Sequence, residues 1–462
     1  MVSGLRRIES LKRFIILQLS VIGLILQTAV YAYFWMIRYY PFLHTHRQLR
    51  YYFKGHVLIL FIYFVLLFFF TATFEGLKIG YLKPVDVYFS QFFALLSVNV
   101  ISYFQISLIA NWLIDARPIL LTMLIQLVLS AVWVILCNML YHKAFPPRRL
   151  LLVHGERPVD DIINKFDSRK DKYLLGDCIN ISEGIEAVKA KMAGDYGAVV
   201  LWDISTEDRN DLLKYCYSKS LRVYMMPKIS DVLVKGSDQL HLFDTPILLT
   251  REYALKIEQR IVKRMIDIIC SGILIVITSP IMLVTAIAIK VYDGGPVLYK
   301  QIRCTIDSKE FYILKFRSMR VDAEKDGVAR LAAKNDSRIT PVGKLIRAIR
   351  VDELPQLFNI LKGDMSFIGP RPERPEIIAQ YMEEMPEFAF RMKVKAGLAG
   401  YAQVYGKYNT TPYDKLKLDL TYIENYSVWM DLRLMLLTLK ILFKPESTEG
   451  VDSTQVTASK KN

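Results

Sequence analysis

The sequence predicts a membrane protein: a four-helix transmembrane bundle, a Rossmann-like α/β domain, then a re-entrant membrane hairpin leading into a mainly α-helical α+β module. Three observations predict it. Apolar residues make up 53% of the 462, and mean hydropathy is positive, too apolar for an ordinary soluble chain of this length. Five apolar runs occupy 14–36, 57–74, 87–109, 119–141 and 265–289, each near the roughly 20 residues that a helix needs to cross hydrocarbon. The stretches 146–251 and 292–445 have soluble texture, and 446–462 is a polar tail. The expected divisions are therefore 1–145, 146–251, 252–291, 292–445 and 446–462.

Arg6, Arg7, Lys12 and Arg13 precede the first run, and Val30-Tyr31-Ala32 resembles a signal-peptide cleavage site. The run continues past it and three more follow, so a retained first span is the better reading. Lys and Arg number nine in the segments expected inside, against five in the first and third loops, which include Arg38, Arg47, Arg50 and Lys54. The positive-inside rule then puts both ends of the four-span unit in the cytoplasm. Pro146-Pro147 closes that unit. Beyond it, short apolar runs at 150–153, 198–202 and 221–225 read as buried parallel strands, with helices at 159–166, 183–192 and 207–219. The first strand runs into His154-Gly155-Glu156-Arg157-Pro158, which lacks GxGxxG. A structural or regulatory role is favoured over nucleotide binding there.

The fifth run follows the amphipathic, basic segment 256–264, suited to a membrane surface. It contains Asp267, is interrupted by Ser279-Pro280, and has Lys263-Arg264 before it and Lys290 after it. Proline breaks a helix hydrogen bond, and positive charge at both ends favours a hairpin that enters and leaves by one face over the alternative of a Pro-kinked fifth span.

The net charge of +15 suits an anionic membrane face or a phosphorylated substrate better than nucleic acid. Five cysteines, odd in number and without a CxxC pair, suggest neither a disulfide framework nor a zinc site. All six histidines lie at or before position 241, so chemistry in the last module proceeds without imidazole. There, Tyr299-Lys300-Gln301-Ile302-Arg303 and Lys315-Phe316-Arg317-Ser318-Met319-Arg320 form basic clusters that can grip phosphate. Arg347 and Arg350 flank Asp352-Glu353, and nearby arginines favour ionised carboxylates, suited to a metal or to attack on phosphorus. On a helix the two would point about 100° apart and take different roles. Gly369-Pro370-Arg371-Pro372 is a stiff loop that aims Arg371 at an anion or a base edge.

In this order the motifs, together with Gly294-Gly295-Pro296-Val297, Lys362-Gly363-Asp364-Met365-Ser366 and Gly400-Tyr401-Ala402-Gln403-Val404, closely resemble the bacterial sugar transferases. These are the monotopic phosphoglycosyl transferases, which move a hexose-1-phosphate from a UDP-sugar to undecaprenyl phosphate. With four spans and an α/β domain in front, the chain looks like the large subgroup of that family. The resemblance implies that Asp352 is the nucleophile that expels UMP and holds a covalent phosphosugar. It assigns Glu353 to catalysis and, with Asp352, to Mg2+. Lys315 would also be catalytic, and Arg303, Arg317, Arg350, Pro370, Arg371, Pro372 and Gln403 would bind substrate. Ser279 and Pro280 would bend the re-entrant hairpin. Partners would be a UDP-sugar, with glucose or galactose favoured, undecaprenyl phosphate, the lipid bilayer, and a second copy in a homodimer. The module would face the cytoplasm at the bacterial inner membrane and initiate exopolysaccharide, capsule or O-antigen synthesis.

Some positions depart from the family pattern. Thr305 and Ser308 stand where many members have glycines, Arg350 where many have a small hydroxyl residue, and Tyr401 where tryptophan is frequent. Two other classes compete: an inactive scaffold or regulator of polysaccharide assembly, against which the intact Asp-Glu pair weighs, and a nucleotide-sensing α/β domain that gates an enzyme. Independently of the resemblance, a carboxylate nucleophile needs no base, and magnesium prefers carboxylate and phosphate oxygens.

Overall fold

The computed structural model describes residues 2–47, 53–250, 254–321, 338–406 and 410–442. Arg50 of the first loop and the tail 446–462 lie outside the described residues. The chain divides into two compact units, Met1–Pro227 and Lys228–Asn462.

The first unit begins with helices α1 (Val2–Phe34), α2 (Tyr40–Arg47), α3 (Phe53–Thr73), α4 (Pro84–Ala110) and α5 (Arg117–Ala144). A π turn, Trp35–Tyr39, joins α1 to α2, so the first apolar helix runs past the expected end at 36. Its cause is local: Pro41 lacks an N–H and its ring crowds the carbonyl four residues back, so one wider turn precedes it. Trp35, fully buried there, donates its indole N–H to His56 Nδ1 at 3.0 Å. α1 packs on α3 and α5, α3 on α4, and α4 on α5. One polar side chain from each long helix meets in the middle. Tyr63 donates to Asn99 Oδ1, Asn99 to Gln126 Oε1, and Gln126 Nε2 to both the Tyr63 hydroxyl and the carbonyl of Gln27. Polar groups among apolar residues need such partners.

Strands β1 (Arg148–His154), β2 (Tyr173–Asn180), β3 (Ala198–Trp202) and β4 (Val223–Met225) form a parallel sheet in the order β2-β1-β3-β4. Helices α6 (Asp160–Asp167), α7 (Ile185–Met192) and α8 (Thr206–Ser218) connect them. Sequence reading missed β2, an edge strand that buries little and carries Gly176 and Asp177, both poor strand formers, in its middle. Gly155, at the end of β1, is there for close approach: a Cβ would sit 2.1 Å from the carbonyl oxygen of Asp203.

Residues 228–251, assigned by sequence to the α/β domain, belong to the second unit. They comprise α9 (Ile229–Lys235) and a hairpin of β5 (Asp238–Leu242) and β6 (Thr245–Leu249). Val232 of α9 packs into the second unit's core with Leu416 and Leu420, which explains the shifted boundary. Next comes α10 (Ile257–Asp293), a single 37-residue helix with Pro280 inside it. Ser279 donates its hydroxyl to the carbonyl of Val276. The antiparallel strands β7 (Leu298–Cys304) and β8 (Glu310–Phe316) follow, pairing Tyr299 with Lys315. The rest is mainly helical: α11 (Pro341–Ala348), α12 (Gln356–Lys362), α13 (Pro375–Glu384), α14 (Tyr401–Tyr405), α15 (Pro412–Glu424) and α16 (Val428–Leu442). Between them, the short parallel strands β9 (Ser366–Ile368) and β10 (Gly397–Ala399) pair. Among the described residues five helices, the last being α10, are long and apolar enough to cross a membrane, and this marks a membrane protein.

Lys263 and Arg264, read as charges lying on the membrane surface, instead bind protein. Lys263 is 7% exposed; its ammonium donates to Asp431 Oδ2 at 2.7 Å, to the carbonyl of Ile368 at 2.9 Å and to the Tyr422 hydroxyl. Arg264 donates to the carbonyls of Ile360 and Leu361 at the end of α12. Asp267 accepts from the Ser366 hydroxyl and the N–H of Phe367. A charge inside an apolar run has to find such partners when buried. Here they tie α10 to β9 and α12.

Candidate active site

Asp352 and Glu353 lie in a 3₁₀ turn, Val351–Glu353, between α11 and α12. The expected α-helical offset is corrected to about 120°, because a 3₁₀ turn has three residues. Arg350 leads in with φ 58°, a left-handed conformation costly for a side chain with a Cβ. The turn then sends the two carboxylates to different surroundings.

Glu353 is surrounded by cations. Lys315 on β8 donates to its Oε1 at 3.0 Å, Arg371 Nη2 lies 3.4 Å from the same oxygen, and Arg350 Nη1 lies 3.8 Å from Oε2. Burial pushes Glu353 up, but Lys315, Arg371 and Arg350 outweigh it and hold the carboxyl well below the ordinary range. Asp352 moves the other way. Burial first, then the charge of Glu353, pushes it up, against Lys315, Arg347 and Arg350. Its Oδ1 is buried and has no hydrogen-bond partner among the described residues. A carboxylate so placed is weakly solvated and available to react or to bind.

The loop Gly369-Pro370-Arg371-Pro372 follows β9. Two backbone segments, around Gly369 and around Gly397–Gly400, pass there so closely that a Cβ on Gly400 would meet the carbonyl of Gly369 at 2.1 Å. Pro370 and Pro372 are buried and Arg371 is exposed, so the loop presents one side chain. Arg303 on β7 supports it: Nη1 donates to the carbonyl of Pro372 at 3.1 Å, and Nε and Nη2 donate to Gln301 Oε1. Arg303 thus holds the backbone of the loop. Gln403, on α14, has an amide whose nitrogen and oxygen are both buried without a partner among the described residues.

The structure therefore brings Lys315, Arg350, Asp352, Glu353 and Arg371 together. It does not bring Arg317 to them by any contact. Arg317 is 8% exposed, and its guanidinium grips both oxygens of Asp293 and donates to the carbonyl of Pro296, closing the corner from α10 into β7. Sequence reading gave Arg317 to phosphate; here its fork is engaged by Asp293. Sequence reading missed Asn359, one turn into α12, which accepts from the N–H of Leu314 and donates to the carbonyl of Tyr312. It pins β8, and with it Lys315, beside the Asp-Glu turn. A polar residue on the inward face of a short apolar helix was the available signal. Arg391 was missed as well.

Among the described residues no group of three His, Cys, Asp or Glu could hold a metal unaided. Magnesium does not need one, since it binds through one or two carboxylates together with substrate phosphates. The orphaned Oδ1 of Asp352 fits that donor chemistry. Glu353 fits less freely, because three cations already hold it.

Comparison with known proteins identifies the family of this module. Residues 258–445 match the family model described as bacterial sugar transferase. The chain is 37% identical over 262 residues to a UDP-N-acetylgalactosamine-undecaprenyl-phosphate N-acetylgalactosaminephosphotransferase of Aeromonas hydrophila, covering 54% of this chain and 60% of that protein. It is 39% identical over 211 residues to a UDP-glucose:undecaprenyl-phosphate glucose-1-phosphate transferase of Klebsiella pneumoniae, covering 45% of this chain and 43% of the relative. The chain thus spans about half the length of these two relatives. An uncharacterized sugar transferase of Bacillus subtilis, EpsL, is 37% identical over 201 residues, covering 43% of this chain and 95% of its own length. The Asp-Glu turn, its ring of cations and the Arg371 loop all lie inside the matched stretch, and the chain belongs to the bacterial sugar transferase family.

Proposed function

We propose that the protein transfers a hexose-1-phosphate from a UDP-sugar to undecaprenyl phosphate and releases UMP. The observation that carries this reading is the division of labour in one turn: Asp352 with an unpartnered buried oxygen, beside Glu353 neutralised by Lys315, Arg350 and Arg371. A carboxylate oxygen of Asp352 attacks the sugar-linked phosphorus. The bond to Asp352 forms as the bridging P–O bond breaks, and UMP leaves with that oxygen. An oxygen of the lipid phosphate then attacks the same phosphorus, displaces Asp352 and gives the lipid diphosphate sugar. Lys315 and Arg371 stand where they can balance phosphate charge as well as Glu353. Asp352 and Glu353 would hold magnesium, which when bound neutralises charge on the diphosphate. Gln403 offers an unpaired amide to the substrate.

The same reading places the module at the cytoplasmic face of the inner membrane, with α10 entering and leaving by one side. Straight, α10 would reach about 55 Å. Yet Lys263 near its start pairs with Asp431, and Asp293 at its end pairs with Arg317, both in the same unit. The middle exposes Val276, Ile277, Leu283 and Val284. An apolar middle with a proline in it, on a helix anchored at both ends to one module, is what a hairpin bent at Ser279-Pro280 and dipping into lipid would need. The product would begin an exopolysaccharide, capsule or O-antigen, with glucose or galactose as the sugar.

The test is a panel of UDP-glucose, UDP-galactose, UDP-N-acetylgalactosamine and other UDP-sugars with undecaprenyl phosphate, scored by UMP release. Release with one or more sugars, dependent on the lipid, supports the reading; no release with any of them overturns it.

A further inference from the structure

Arg391 lies in the 3₁₀ segment Pro386–Lys393, is 4% exposed, and takes no part in the chemistry described above. Its Nη2 donates to the carbonyl oxygen of Arg371 at 2.9 Å. The same nitrogen lies 2.9 Å from Oδ2 of Asp419 on α15, itself 1% exposed. Nη1 lies 4.0 Å from Glu373 Oε1, and the guanidinium stacks over the ring of Phe388. A fully buried guanidinium is costly unless a buried carboxylate meets it, and Asp419 does so.

The loop carrying Arg371 has unusual handles. Pro370 and Pro372 have no N–H and fixed φ, and the residue before a proline is confined to extended conformations. What remains free is the tilt of the peptide planes, and carbonyl bonds set that tilt. Three successive carbonyls are each held by a different element. Pro370 O accepts from the N–H of Gly397 at 2.9 Å, Arg371 O from Arg391, and Pro372 O from Arg303. A shallow cleft, open to solvent, borders the loop and is lined by Pro370, Arg371, Glu373 and Arg391. The middle handle is the one on the residue whose side chain reaches Glu353.

We propose that Arg391, anchored by Asp419, is a positioning residue that fixes the backbone of Arg371 so that its guanidinium faces Glu353 and the diphosphate of the nucleotide sugar. This rests on the transferase reading above. Arg391 works through Arg371 and touches no substrate. One guanidinium nitrogen meets both the carboxylate and the carbonyl, aimed there by the planar group that lies over Phe388, whereas a lysine in its place keeps a charge for Asp419 and loses that rigid placement.

The full-length protein in membranes is assayed for UMP release with its preferred UDP-sugar, comparing wild type, Arg391→Lys, Arg371→Lys and the double variant. Arg391→Lys is expected to lower kcat/KM about tenfold, mostly through KM, the scale for losing one charged hydrogen bond. Arg371→Lys should cost distinctly less in the Arg391→Lys background than alone, because the two act through one contact. If the losses simply multiply, Arg391 is structural only and the proposal is overturned. Should Arg391→Lys fail to fold, Asp419→Asn replaces it in the same cycle with the same two outcomes. A wild type that releases no UMP with any UDP-sugar would bring down the transferase reading and this proposal with it. An active wild type with multiplying losses overturns the proposal alone.

Discussion

Arg371 Nη2 stands 3.4 Å from Glu353 Oε1, joining the proline-stiffened loop after β9 to the 3₁₀ turn before α12 through one ion pair. Lys315 reaches the same oxygen from β8. Elements far apart in sequence therefore converge on one glutamate, and the aspartate beside it has no partner for Oδ1 among the described residues. Most of the tests below act on that asymmetry.

Asp352→Asn keeps shape and removes charge. UMP release is expected to vanish, while folding and extraction from membranes are unchanged. Substantial residual turnover, measured at high enzyme concentration, would assign the attack to another residue.

Glu353→Gln leaves Lys315, Arg350 and Arg371 facing one another with less compensation. Stability should fall by about 2 kcal/mol, the scale for losing charged hydrogen bonds at a half-buried site. Activity should fall severely, with an altered magnesium dependence of the remaining rate. A variant with wild-type melting and an unchanged magnesium titration would show that Glu353 organises neither.

Arg371→Lys retains a positive charge but loses the planar fork. The expected loss in use of the nucleotide sugar is about 1–3 kcal/mol in kcat/KM. Steady-state kinetics that match wild type in both KM and kcat would remove Arg371 from the binding site.

The pH dependence follows from the raised pKa of Asp352. Attack needs the carboxylate, so the rate should fall as pH drops through this raised value, above the ordinary aspartate range near 3.9. Stability has the opposite sign. The native state holds the proton more tightly than the unfolded chain, so stability from this group is full below the unfolded pKa and is lost as pH rises through the folded one. Asp352→Asn should therefore melt at least as high as wild type at neutral pH. An acid limb at the ordinary aspartate pKa, or a destabilised Asn variant at neutral pH, would contradict the assignment.

The topology of α10 can be read by labelling. On the proposed topology four crossings put residues 148–251 inside, and a full fifth crossing would put Asp352 outside, away from cytoplasmic UDP-sugars. Single cysteines at positions 252 and 450, in a background without the five native ones, are probed with an impermeant thiol reagent in intact cells. Under the hairpin both stay unlabelled until the membrane is opened; labelling at 450 alone shows a crossing. Replacing Ser279 and Pro280 together by Leu and Ala should straighten some molecules and lower activity.

The sequence by itself determined the elements whose signal is local. Apolar length marks α1, α3, α4, α5 and α10 because crossing hydrocarbon demands it. Short continuous apolar runs mark β1 and β3, which bury both faces. Motif order placed Asp352, Glu353, Lys315 and Arg371 as candidates, and the structure gathers those four. What it could not decide was which charge meets which. Arg303, Arg317, Lys263 and Arg391 are all basic residues near motifs, and composition gives no reason to send one to a loop carbonyl, one to Asp293, one to Asp431 and one to Asp419. Edge strand β2 and the move of 228–251 into the second unit depend equally on distant partners. An ion pair or a packed face is a relation between residues tens to hundreds of positions apart, and only the folded chain brings both members to one place.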